Sequence, residues 1–121
     1  VPLARDANDQ LAAAIAAHPD RFAGFATLPT PDPQAAAAEL ERAVHQLGFK
    51  GAMINGRAGY DRFLDDSRFS PILETAETLD VPIYIHPTWP SKAVQDDYYS
   101  GFNPVTSGWF ATTTSGWHNE T

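Results

Sequence analysis

Three helical stretches alternate with three short apolar runs in this chain, and only short connections separate one from the next. Strands that each follow a helix share a sheet as parallel neighbours joined by right-handed crossovers. The first helix is expected over residues 4–17, rich in alanine, with Leu11 and Ile15 four apart on one face. His18-Pro19-Asp20 ends it, because a residue before proline avoids the α region. Residues 22–28 read as a short buried strand. A proline-rich loop then leads to Asp32, a candidate N-cap, and to Pro33 at the first helical position, where its missing N–H costs nothing. The second helix is predicted over residues 33–47. Ala36, Leu40, Val44 and Leu47 form its apolar stripe, with Glu39, Glu41 and Arg42 facing water. Gly48 supplies the left-handed position that closes it. A strand over residues 50–55 follows, then a polar loop to Asp66. Residues 68–79 repeat the helical pattern with Phe69, Ile72, Leu73 and Ala76 inward. Past Pro90 no period fits. Residues 91–114 scatter Tyr98, Tyr99, Phe102, Trp109 and Phe110 among Ser, Thr, Gly and Asn, the texture of a long loop that walls or covers a site.

Size and charge narrow the possibilities. A chain of 121 residues suffices for one domain. A closed eight-stranded α/β barrel usually takes about 250. Eight Lys+Arg against fifteen Asp+Glu give a formal charge of −7, which argues against a nucleic-acid surface. Zero cysteines exclude disulfides and thiolate metal sites and fit a reducing cytoplasm. Any metal would therefore be held by His, Asp, Glu or water. No apolar run is long enough for a membrane helix, and the start lacks the basic and apolar segments of a signal peptide. Val1 stands without an initiator methionine and Gly116–Thr121 without a cap, so both ends are expected to be truncated.

Chemistry concentrates in Val81-Pro-Ile-Tyr-Ile-His-Pro-Thr-Trp89. A continuous apolar run bounded by turn signals reads as a fully buried strand, with His86 at its carboxyl end. In parallel α/β folds the strand tips and following loops converge at that edge. His86 is either a metal ligand or proton-transfer group on a rigid strand, or a histidine that caps the strand onto a loop. Asn55 ends the second strand. Its carboxamide can meet a substrate, or Asn55-Gly56 can simply turn the chain. Arg57 and Arg62 suit a substrate carboxylate or a solvated loop. Trp89, with Tyr98 or Trp109, could line a slot for a flat ring or pack under the loop. His18 and His45 read as surface residues, while His118 could face the same cavity. No nucleophile motif accompanies His86, and no phosphate-cradling glycine loop is present.

The series Asn8-Asp-Gln-Leu-Ala-Ala, His18-Pro-Asp-Arg-Phe-Ala-Gly-Phe-Ala-Thr-Leu-Pro29, Leu47-Gly-Phe-Lys-Gly-Ala-Met-Ile-Asn55, Phe63-Leu-Asp-Asp66 and Val81-Pro-Ile-Tyr-Ile-His-Pro87 resembles the amidohydrolase-related metal-dependent family. It resembles in particular the aromatic-acid decarboxylase branch, the γ-resorcylate and 2,3-dihydroxybenzoate decarboxylases. Aminocarboxymuconate semialdehyde decarboxylases share the pattern more distantly. The resemblance covers nearly the whole chain and implies an α/β fold. The chain would be a fragment, about strands 3–5 with their helices, of a distorted (β/α)8 TIM barrel, one partial domain over residues 1–121.

The resemblance also implies a divalent metal, Zn or Mn. Its ligands would be an acid-x-His or His-x-His pair on strand one, histidines at strands five and six, and an aspartate ending strand eight. His86 matches the strand-five histidine and would be a metal ligand, with Asn55 and Trp89 in substrate binding. The other ligands match nothing in this chain, and catalytic zinc normally takes three protein ligands. The segment alone is therefore expected to be inactive, and poorly soluble through its unpaired sheet edges. The implied activity of the intact parent is non-oxidative decarboxylation of a hydroxylated aromatic acid. Its partner would be that small-molecule substrate and its assembly a homo-oligomer, with no nucleic acid and no membrane. Alternatives are metal-assisted hydrolysis of an amide, lactone or C–C bond on the same scaffold, or a non-catalytic binding module.

Overall fold

The computed structural model describes residues 1–57, 62–88 and 90–109. Helix α1 spans Pro2–Ala16, strand β1 Ala26–Thr27, helix α2 Pro33–Leu47 and strand β2 Ala52–Asn55. A 3-10 turn, Ser67–Phe69, runs into helix α3, Ser70–Thr78, and strand β3 follows at Ile83–His86. Helices α4, Lys92–Tyr99, and α5, Pro104–Trp109, come last. The strands form one sheet in the order β1-β2-β3. β1 and β2 are parallel, with Ala26 beside Ala52 and Thr27 beside Met53. Between β2 and β3, Ala52 N–H donates to the Pro82 carbonyl at 3.2 Å and Gly56 N–H to the His86 carbonyl at 3.0 Å. The offset from donor to acceptor is the same in both bonds, as in a parallel pair, so Met53 lies level with Tyr84 and Asn55 with His86.

The chain divides into two compact units, one built from Val1–Ile54 and Asp65–Tyr84, the other from Asn55–Leu64 and the chain from Ile85 onward. In the first, α2 packs on α3, and α1 packs on β1 and α2. Its core contains Ala26, Leu40, Ala52, Ile54, Phe69 and Ile72, each at most 4% exposed. Helix α2 begins and ends where the sequence places it. Asp32 Oδ1 accepts the Ala35 N–H at 3.1 Å, Pro33 opens the helix, and Gly48 closes it at φ +71°. Among the described residues no helix is long and apolar enough to cross a membrane.

Several expectations are corrected. The predicted strand over residues 22–28 contracts to Ala26–Thr27, with Gly24, Ala26 and Leu28 buried and Phe25 and Thr27 exposed. The third strand is half-covered rather than fully buried: Ile83 and Ile85 are partly shielded, Tyr84 and His86 exposed. Leu73, expected inward, faces outward at 40% exposure. The expected loop over residues 91–114 is helical through α4 and α5 as far as Trp109, and residues 110–114 lie outside the described residues. Ser91 Oγ accepts the Val94 N–H at 3.4 Å at the start of α4, and Lys92 pairs with Asp96 one turn on. Neither helix buries a residue, so no apolar stripe betrays it.

Glu39 does not face water. It is 6% exposed and takes two hydrogen bonds from Arg42, at 2.7 and 2.8 Å, and one from Asn8 at 2.8 Å.

Candidate functional site

Along β2 the burial alternates, with Ala52 and Ile54 covered and Met53 and Asn55 exposed. Tyr84 and His86 are the exposed positions of β3. Successive side chains of a strand leave opposite faces, so each strand presents its exposed pair on one open side. The level pairing of Asn55 with His86 puts a carboxamide and an imidazole side by side on adjacent strands, which run about 4.8 Å apart. Both stand at the carboxyl ends, and the Gly56–His86 backbone bond fixes the two tips to each other.

The imidazole orientation is specified further. His86 Nδ1 lies 2.8 Å from the Pro87 carbonyl oxygen. A carbonyl oxygen only accepts, so Nδ1 donates in this contact. Metal-binding histidines adopt this arrangement, with one ring nitrogen held by a carbonyl or carboxylate and the other directed to the ion. The two readings of His86 are therefore compatible. The contact that ties the ring to the loop orients Nδ1 toward the backbone and leaves Nε2 on the other side of the ring.

Arg57 follows Asn55 by two residues and forms an isolated antiparallel bridge with Phe63. Its guanidinium carbon lies 5.1 Å from the Phe63 ring centroid, a cation–π contact that stations a positive charge beyond the tip of β2. Arg62 is exposed in the same loop. Tyr98, on α4, lies 6.4 Å from Tyr99 ring to ring and is 72% exposed, and Trp109, on α5, is 67% exposed. Trp89 and His118 lie outside the described residues. His18 and His45 are exposed, as expected for surface histidines.

A divalent ion suits an imidazole nitrogen, and His86 is the residue at this edge whose chemistry fits such a ligand. Among the described residues no group of three His, Asp or Glu side chains could hold an ion. Catalytic zinc normally takes three protein ligands. The described residues thus fit a metal as a single ligand and do not make a site by themselves.

The sequence model of the amidohydrolase family matches residues 1–120, and the chain belongs to that family. The γ-resorcylate decarboxylase of Polaromonas sp. strain JS666 is 49% identical over 92 residues, which are 72% of this chain and 28% of that one. A structure from Staphylococcus aureus classed with the amidohydrolases superposes with a TM-score of 0.90 at 51% identity, over 98% of this chain and 39% of the other. The 5-carboxyvanillate decarboxylase of Novosphingobium aromaticivorans, solved with manganese and 4-hydroxy-3-methoxy-5-nitrobenzoic acid, gives 0.83 at 35% identity, over 99% of this chain and 32% of that one. This chain spans about a third of the length of these relatives.

Proposed function

We propose that β1, β2 and β3 are three consecutive strands of a (β/α)8 barrel, and that the complete barrel is a metal-dependent decarboxylase of a hydroxylated aromatic acid, working as a homo-oligomer. The observation that carries this reading is the pair Asn55 and His86, level with each other at the carboxyl tips of adjacent parallel strands, the edge where barrels of this kind place their chemistry. The γ-resorcylate and 5-carboxyvanillate decarboxylases among the relatives support the reaction class, and the manganese bound to the latter supports the metal.

In this reading His86 is one ligand of a zinc or manganese ion, and its Nδ1–H bond to Pro87 keeps the ligating nitrogen aimed. The ion supplies Lewis acidity toward the acid's carboxylate and neighbouring hydroxyl. Asn55 donates to an anionic oxygen or accepts from a ring hydroxyl, since a carboxamide does both. Arg57 adds positive charge beside it, and Trp89 flanks the ring.

Carbon dioxide release from a panel of hydroxylated benzoic acids, measured on the complete barrel protein, tests the proposal. Release is expected to stop with a chelator and return with manganese or zinc. His86→Ala should lower metal affinity by more than about 100-fold, and Asn55→Ala should lower turnover about 10-fold with the metal retained. Turnover that survives the chelator, or full metal content in the His86 variant, would overturn the reading.

A further inference from the structure

Asn8 lies within α1 and is 1% exposed, although asparagine is mostly an exposed residue. Thr27 N–H donates to Asn8 Oδ1 at 2.9 Å, and Asn8 Nδ2 donates to the Thr27 carbonyl at 3.0 Å and to Glu39 Oε1 at 2.8 Å. The first two bonds reproduce what a neighbouring strand does, satisfying both the donor and the acceptor of one residue. They fall on the edge of β1 away from β2. Ala26 N–H bonds the Gly51 carbonyl at 2.8 Å, so the alternating backbone turns the Thr27 groups to the opposite side. Two residues on, that same edge reaches Pro29, which has no N–H and whose carbonyl accepts the Asp32 N–H at 2.9 Å.

We infer that Asn8 takes the place of a strand on the outer edge of β1, closing that edge from Thr27 to Pro29 against any further backbone strand. The carboxamide is held in the one orientation this needs. A carboxylate only accepts, so Glu39 must face Nδ2 and leaves Oδ1 toward Thr27. Arg42 braces Glu39 through Nε at 2.8 Å and Nη2 at 2.7 Å, and its Nη1 donates to Asp9 at 2.8 Å. A strand arriving from elsewhere in a barrel then meets β1 only before Thr27, which leaves a seam in the wall toward the carboxyl rim. The same closure bars edge-on addition by a second copy of the chain. This inference stands apart from the proposed chemistry and survives its failure.

The test is the scalar coupling carried across the hydrogen bond of the Thr27 amide, measured by NMR on the isotopically labelled protein. The expected partner is the Asn8 side-chain carbonyl, and coupling to a backbone carbonyl would overturn the inference. In a folded Asn8→Ala variant, Thr27 amide exchange should rise by at least about 10-fold while Ala26, bonded to β2, changes far less. Unchanged Thr27 protection in that variant would also overturn it. If the variant does not fold, the coupling in the unsubstituted protein decides alone.

Discussion

Glu39 carries a charge into a place where charges are costly, and its partners set how its stability contribution responds to pH. The Arg42 hydrogen bonds lower its pKa, burial opposes them, and Asn8 and the charges of Arg42 and Arg5 add to the lowering. The net effect holds the carboxyl below the ordinary carboxylate range. A folded pKa below the unfolded one, about 4.3 for glutamate, gives stability that is present above that value and lost as pH falls through the folded pKa. Glu39→Gln is therefore expected to be less stable than the unsubstituted protein at neutral pH, with the difference shrinking below about pH 4 in urea titrations. A difference that stays constant from neutral to acid pH would remove Glu39 as its source. Arg42→Ala leaves the carboxylate without its main partner. With side chains only 11% and 7% exposed, the loss should be about 2–3 kcal/mol at neutral pH.

At the scale of elements, α2 was legible because every local signal agreed: an Asp32 cap, proline at the first position, an apolar stripe and Gly48 at the end. Helices α4 and α5 were not, because they bury nothing and so carry no periodic stripe for a reader to find. Asn8 and Glu39 escaped for the opposite reason. Polar residues on an alanine-rich helix look like a solvent face until their partners, which are distant in sequence, are known.

Two glycines that flank this architecture both have backbones that favour glycine, φ +71° at Gly48 and +157° at Gly51, and differ in the steric cost added to it. At Gly48 an added Cβ meets nothing within 4 Å, so Gly48→Ala should cost only the left-handed penalty, about 1 kcal/mol. At Gly51 the Cβ would lie 2.2 Å from the Pro82 carbonyl oxygen, a backbone atom beside the neighbouring strand. Backbone does not swing aside as a flexible side chain does, and Gly51→Ala should cost about 3 kcal/mol. Chemical denaturation of the two variants ranks them, and equal losses would mean that β2 and β3 are not held this close.

At the scale of the whole molecule, the placement of Asn55 and His86 at strand ends was legible, because an apolar run stopped by Gly or Pro marks a strand tip. A complete metal site is not assembled among the described residues, where no three His, Asp or Glu side chains come together. The open side of the strands carries a different kind of information. Phe25, Met53 and Tyr84 are 39%, 43% and 44% exposed. A closed barrel fills its interior with layers of such side chains, so the barrel reading turns these residues from surface into core. Met53→Lys and Tyr84→Lys in the complete protein then bury an unpaired ammonium and should each lower stability by about 3 kcal/mol or more. On a sheet that stays open to water, the same substitutions would shift stability by no more than about 0.5 kcal/mol. Thermal denaturation of the two lysine variants therefore distinguishes a barrel wall from an open sheet without reference to catalysis, and near-neutral values would refute barrel closure whatever reaction the protein performs.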